Sequence, residues 1–327
     1  MTGQGFFFLY LHYMHAHDPH LDLPRSRRTV AAMDPERLDL LTATAPASAC
    51  SDRDSGICAR YVQYAEATLD LRADIASLLA GLEERGVLED TLVLLYSDHG
   101  EEFHDHQRRA EQRDQDPRGF YGFGHGQSLY QEQLHVPLIV WHPDHRGKVI
   151  STPVSLVDVL PSIADWLGIA LPENVDYPGR SFGGWVHEAE NGAFSWEASR
   201  REMWNDSERP LFASGIAYGP EQLAVISSGM KLIWHEADNA REFYDLTRDL
   251  LERDPVEPGR IALADRLDDL LGDYFEWFNS QDYLPPELGS DMVERLKGMG
   301  YLQGVESSSQ ESSQGDKRSP ADRESEP

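Results

Sequence analysis

Asp98 and His99 stand side by side where the apolar run TLVLLYS (Thr91 to Ser97) stops. A carboxylate and an imidazole at a strand end can both reach a metal ion. Ligands of open α/β sheets gather at the carboxyl ends of strands. The same D-H-G triplet is also an ordinary solvated turn. A second group, HYMHAHDPH, places His12, His15, His17 and His20 after another apolar run. Imidazole is the usual proton donor near neutral pH, and a turn has little packing use for four of them. In GFGHGQSLY, His125 lies between two glycines, which let the backbone approach a ligand closely or simply make a flexible loop. His104 and His106 in EEFHDHQ either line a pocket or are solvated, and their charged surroundings favour solvation. Brought together, the first three groups would form a pocket for a tetrahedral anionic ester. A metal there polarises the anion, and imidazole protonates the leaving oxygen.

Such a pocket needs a sheet whose strands end at one edge. Phe6 to Met14 (FFFLYLHYM) is apolar without clean alternation, which predicts a strand buried on both faces. Ala59 to Gly86 predicts a long helix with Ile75, Leu78, Leu79 and Leu82 on one face and Gly86 as its stop. Thr91 to Ser97 and Val136 to Pro143 read as further buried strands. Strand, helix and strand in this order predict a parallel α/β unit. Residues 21 to 57 read as irregular, and 101 to 123 as a polar loop or lid. Ser155 to Ile169 reads as a helix, with Ser155 and Asp158 at capping-box spacing, Pro161 in its first turn and Gly168 at its end. After about residue 185, LFASGIA, LAVISSG, MKLIWHE and REFYDLT predict a small antiparallel sheet. Helices follow near 263 to 278 and 290 to 299. From Gly304 the chain lacks apolar residues and should be disordered. The organisation expected is an α/β core over 1–185, a small α+β subdomain over 186–303 and a tail over 304–327.

The formal net charge of −28 over 327 residues argues against binding nucleic acid or anionic membrane through bulk electrostatics. It favours solubility. Only Lys148, Lys231, Lys297 and Lys317 are lysines. Cys50 and Cys58 either close a small disulfide loop or are separate thiols; spacing leaves both open. No apolar run approaches the roughly 20 residues of a membrane-spanning helix. The first residues lack the basic region and cleavage site of a signal peptide, so the compartment stays open between periplasmic or extracellular and cytoplasmic.

The ordered series FFFLYLHYMHAHDPH, LEERGVLEDTLVLLYSDHGEEF, GHGQSLYQEQLHVPLIVWHP, VSLVDVLPSIADWLGI, PGRSF, MKLIWH, EFYDL and ERLKGMGYL resembles the sulfatase family of the alkaline-phosphatase-like group. The resemblance runs from about residue 5 to 303. It implies an α/β sandwich with a mixed, mostly parallel sheet flanked by helices, plus a small C-terminal antiparallel sheet with a helix. It implies hydrolysis of sulfate esters on a sulfated small molecule or glycan. Asp98 and His99 match the family's second pair of metal ligands. His17 matches the histidine that hydrogen-bonds the ester and assists leaving-group departure. His125 falls where the family has a Lys or His contacting sulfate. A divalent cation is implied, Ca²⁺ first, with Mg²⁺, Mn²⁺ or Zn²⁺ as alternatives.

The sequence departs from the family at the nucleophile. Neither Cys50 nor Cys58 lies in a C-x-P-S-R motif, and no Asp-Asp metal pair precedes the first strand. The chain therefore reads as the C-terminal portion of a sulfatase, with the remaining half as a separate chain or an upstream segment. Alone it is expected to be inactive and to bind divalent cations weakly, because no sulfo-enzyme forms without a nucleophile. Two other readings stay open: a phosphate mono- or diesterase of the same superfamily, and a non-catalytic pseudoenzyme or partner module.

Overall fold

Proline marks the starts of helices in the first part of the chain. Pro35 opens α1 (Pro35–Ala43), whose first-turn amides of Glu36 and Arg37 are capped by the Asp34 carboxylate. Pro46 is the N-cap of the short α2 (Ala47–Cys50). Residues 21 to 57 are thus not irregular throughout: their prolines sit where a missing N–H costs nothing. The long helix α3 (Gly56–Glu84) begins at the Ser55 side-chain cap and stops before Gly86 at φ +64°. Its first turns pack Cys58 and Val62 against Leu41 and Leu38 of α1. A disulfide joins Cys50 to Cys58 across this corner.

The computed structural model describes residues 7–17, 31–113, 121–142, 149–150, 152–173, 175, 177–183, 209–215 and 220–280. His20, the boundary expected at 185, the helix near 290 to 299 and the tail from Gly304 lie outside the described residues.

Strand β1 (Val93–Tyr96) pairs antiparallel with β4 (Leu138–Trp141), in the register Val93↔Trp141 to Tyr96↔Leu138. The expected parallel pairing of the first apolar run with this unit is not found among the described residues; every described ladder is antiparallel. Residues 7 to 14 form no ladder, and Phe7 to Leu11 are exposed, Phe8 by 86%. Their composition suits a strand, but a strand needs a hydrogen-bonded neighbour on each side to be buried.

The segment read as a loop or lid folds into β2 (Glu102–Phe103), α4 (Gln107–Arg113) and β3 (Phe123–Gly124), with β2 and β3 paired. The one-turn helix α5 (Gln131–Leu134) follows. Later, a 3-10 turn at Leu156–Asp158 leads into α6 (Val159–Trp166). The buried Asp158 carboxylate accepts from the amides of Ser155 (2.8 Å) and Arg180 (2.7 Å) and pairs with Arg209 at 2.9 Å.

The antiparallel meander appears as expected: β5 (Leu211–Gly215), β6 (Gln222–Ser227), β7 (Met230–His235) and β8 (Ala240–Asp245). The β6–β7 turn uses Ser228 and Gly229, both at positive φ, as two-residue hairpins demand. One face packs Leu223, Val225, Leu232, Trp234 and Phe243 on α7 (Ala264–Ser280). The other packs Ala224, Ile233 and Tyr244 on Leu129 and Tyr130. Covered on both sides, the sheet is fastened to the segment that carries His125.

Candidate active site

The turn after β1 is held by its own side chains. Ser97 Oγ donates to the His99 carbonyl (2.6 Å), and the His99 amide donates to Asp98 Oδ1 (3.1 Å). The backbone then runs against α5: Gly100 N donates to Gln133 O (2.8 Å) and Glu101 N to Glu132 O (3.1 Å). Only glycine fits at position 100, because a Cβ there would lie 1.9 Å from the Glu132 carbonyl oxygen. This close approach fixes which way His99 and Glu101 leave the chain.

His125 is delivered by the turn after β3. Its neighbours Gly124 and Gly126 have φ of +89° and +81°, and Gly126 N donates to Gln133 Oε1 (2.9 Å). The His125 Nδ1 meets Glu101 Oε2 at 2.7 Å. The rings of His99 and His125 stack with centroids 4.0 Å apart. His17 comes within 5.1 Å of the His125 ring and 6.1 Å of the His99 ring. One ring nitrogen from each of the three histidines lies within 4.8 Å of the others. Asp98 sits at the rim, its side chain 54% exposed and Oδ1 3.7 Å from His99 Nε2.

Residues 17, 98, 99 and 125, far apart in the chain, therefore meet in one place. The other histidines do not join them. His15 pairs with Asp74 of α3 at 3.2 Å, and His12 is exposed beside Tyr10. The solvated reading of His106 is overturned: it is buried, stacked on Tyr130, with Nδ1 on Glu132 Oε1 (2.8 Å) and Nε2 on the Glu252 carbonyl (3.0 Å). The i+4 spacing from Glu102, whose Oε1 accepts from the His106 amide (3.1 Å), places it there. His104 is half-buried at φ 65°. Two further site residues went unnoticed in the sequence. Glu101 orients His125, and Gln133 ties the glycine turn to α5. The repeated glutamate in DHGEE was a visible signal for the first; nothing marked the second.

A second group, Glu102, His106 and Glu132, also has metal-compatible distances. Both nitrogens of its imidazole are spent on Glu132 and on the Glu252 carbonyl, so it works as a hydrogen-bonded brace beneath the site. Glu252 in turn meets Lys231 as a 2.7 Å ion pair, both side chains fully buried.

The brace titrates near neutrality. Burial, then the charge of Glu132, pushes the Glu102 carboxyl up to about 7. Burial opposes a charge on His106, but the hydrogen bond and charge of Glu132 outweigh it, and its pKa is raised as well. Both groups hold their protons more tightly folded than unfolded. Their contribution is complete below the unfolded carboxylate pKa and is lost as pH rises through the folded values. The expected result is a fall in unfolding free energy of up to roughly 3 kcal/mol between about pH 5 and 8. Glu102→Gln should flatten it in urea titrations at several pH values; an unchanged slope would exclude Glu102 as its source.

Comparison with known proteins places this geometry in context. The family model described as Sulfatase matches residues 2–169. Arylsulfatase K from Bos taurus is 34% identical over 104 residues, 32% of this chain and 16% of that protein. The match thus spans a small part of that relative's length. A protein solved in complex with its substrate D-glucosamine-2-N,6-O-disulfate superposes with a TM-score of 0.53 at 19% identity, covering 69% of this chain and 42% of its own. A phosphonate monoester hydrolase from Silicibacter pomeroyi gives a TM-score of 0.50 at 21% identity, over 79% and 49% of the two chains.

Proposed function

Since the chain belongs to the sulfatase family and has its alkaline-phosphatase-like α/β fold, we propose that it is the part of a sulfate-ester hydrolase that holds the leaving-group imidazoles and half of a divalent-cation site. The observation that carries this reading is the convergence of His17, His99 and His125 within 4.8 Å at the end of β1. A sulfate ester is an anion that offers several acceptor oxygens. His17 would donate to one of them. His125, with Nδ1 held by Glu101, would exchange its proton with the ester through Nε2, toward the oxygen that leaves. The polar cup excludes little water by itself, so positioning is its main contribution. The sulfated sugar bound by the solved relative makes a sulfated small molecule or glycan the substrate class to try first.

Asp98 and His99 would supply two ligands to the reaction's cation. Calcium takes 6–8 oxygens, and three imidazoles with one rim carboxylate do not fill that shell, so no step is drawn through it. The remaining oxygen ligands and the nucleophile would come from a segment with a C-x-P-S-R motif and an Asp-Asp pair, attached upstream or carried by a separate chain. Neither motif occurs in these 327 residues. The Cys50–Cys58 disulfide favours an oxidising compartment for the assembly.

The test compares this chain alone with the chain joined to the coding sequence upstream of Met1. Alone, no turnover of 4-nitrophenyl sulfate is expected. Joined, turnover should appear and fall by at least about a hundredfold in Asp98→Ala, as loss of an electrostatic stabiliser implies. Turnover by the isolated chain that Asp98→Ala abolishes would overturn the missing-nucleophile reading. Turnover of a phosphate or phosphonate ester in place of sulfate would move the protein to the phosphoesterase branch. Inactivity of every combination would make it a non-catalytic module.

A further inference from the structure

We propose that His17, His99 and His125 form a three-imidazole site that takes a borderline-soft transition cation, Zn²⁺ in a cell, in preference to Ca²⁺. Three observations lead there. The first is distance: one ring nitrogen of each histidine lies no more than 4.8 Å from the others. Tetrahedral zinc with bonds of about 2.0–2.1 Å needs its nitrogens roughly 3.4 Å apart. Side-chain rotation of an ångström or so closes the set.

The second is what lies behind the rings. His99 Nδ1 is 2.9 Å from the Gly100 carbonyl. A carbonyl only accepts, so Nδ1 carries the hydrogen and Nε2 the lone pair. His125 Nδ1 faces the Glu101 carboxylate at 2.7 Å, with the same consequence. Metal-bound histidines nearly always donate their other ring N–H to a carbonyl or carboxylate, which sets tautomer and ring orientation. Two of these three rings already carry that support, and the Glu101 side chain that gives one of them is almost fully buried.

The third is donor chemistry. Imidazoles select zinc, copper, nickel and iron, whereas calcium and magnesium require oxygen. The oxygen donor at the rim, Asp98, stands with Oδ1 3.7 Å from His99 Nε2 and can complete a tetrahedron. The sulfatase resemblance implied a calcium-like ion, and the donors this chain itself brings do not match it. Capture of zinc needs no nucleophile, so this inference stands or falls apart from ester hydrolysis.

The experiment uses the untagged chain, stripped with chelator, and adds Co²⁺ as a spectroscopic probe. The expected result is one equivalent of Co²⁺ with visible bands of four-coordinate intensity, displaced stoichiometrically by Zn²⁺ and not by millimolar Ca²⁺. His99→Ala and His125→Ala should abolish the bands. His17→Ala should weaken them with an unchanged circular dichroism spectrum, because residue 17 follows an exposed segment. Glu101→Gln should lower Zn²⁺ affinity about tenfold to a hundredfold, the usual effect of removing such a support. His15→Ala, whose ring pairs with Asp74, should change nothing. Bands that survive the histidine substitutions, or that Ca²⁺ removes, would overturn the assignment. So would a folded protein that binds no Co²⁺.

Discussion

Replacing Lys231 with methionine is expected to lower the unfolding free energy by about 3–5 kcal/mol, the usual result of removing one partner of a buried ion pair. Lys231 and Glu252 are both fully buried. The ammonium donates to the Leu129 carbonyl (2.5 Å) and meets Glu252 Oε1 at 2.7 Å, while Glu252 Oε2 accepts from the Gln131 amide (2.6 Å). Methionine fills the space but leaves a carboxylate in a dry interior with one amide for company. The Glu252 carbonyl is also the acceptor of His106 and Arg109, so the damage would reach the brace beneath the site. The double variant Lys231→Met with Glu252→Gln should recover most of the loss, since both charges are then gone. Equilibrium denaturation checks this; a single variant within about 1 kcal/mol of the parent would show that the pair does not carry the interface.

Gly100→Ala should be nearly as damaging, for a different reason. The added Cβ would lie 1.9 Å from Glu132 O, 3.0 Å from Glu132 C and 3.2 Å from Gln133 Cα. These are backbone atoms and cannot rotate aside. Overpacking of this kind costs about 1–3 kcal/mol, occasionally more. The expected signature is local as well as global. Pushing β1's exit from α5 moves His99 and Glu101 together, so Co²⁺ bands should be lost along with thermal stability. Gly272→Ala in α7, where a Cβ meets nothing within 4 Å, is the control and should be neutral or better. A Gly100→Ala protein of parental stability with an intact metal spectrum would refute the close-approach account.

Much of this site could be read before any coordinates. Periodicity located α3, the apolar runs located β1 and β4, and the turn signals located the four-stranded meander. The residues at the ends of those elements, Asp98, His99, His125 and His17, do meet. What could not be read depends on partners distant in the chain. Prolines at helix starts looked like breaks, so α1 and α2 were missed. His106 looked solvated because its acids are neighbours in sequence, yet those acids are the partners that let it be buried. Lys231 carried a faint signal, a lone lysine in an apolar strand of a chain with few lysines, but its partner lies at residue 252. The parallel pairing expected of the first run rested on composition alone, which says what a strand is made of and not what lies beside it.

That first run has a colloidal consequence. Phe7 to Leu11 is an uncharged, proline-free aromatic segment in the open, and such segments zip together between molecules. The −28 charge is what keeps copies apart. Salt at about 1 M shortens the range of that repulsion to about 3 Å. The protein should therefore remain dispersed in dilute buffer and associate through this ribbon in brine, until something else occupies it.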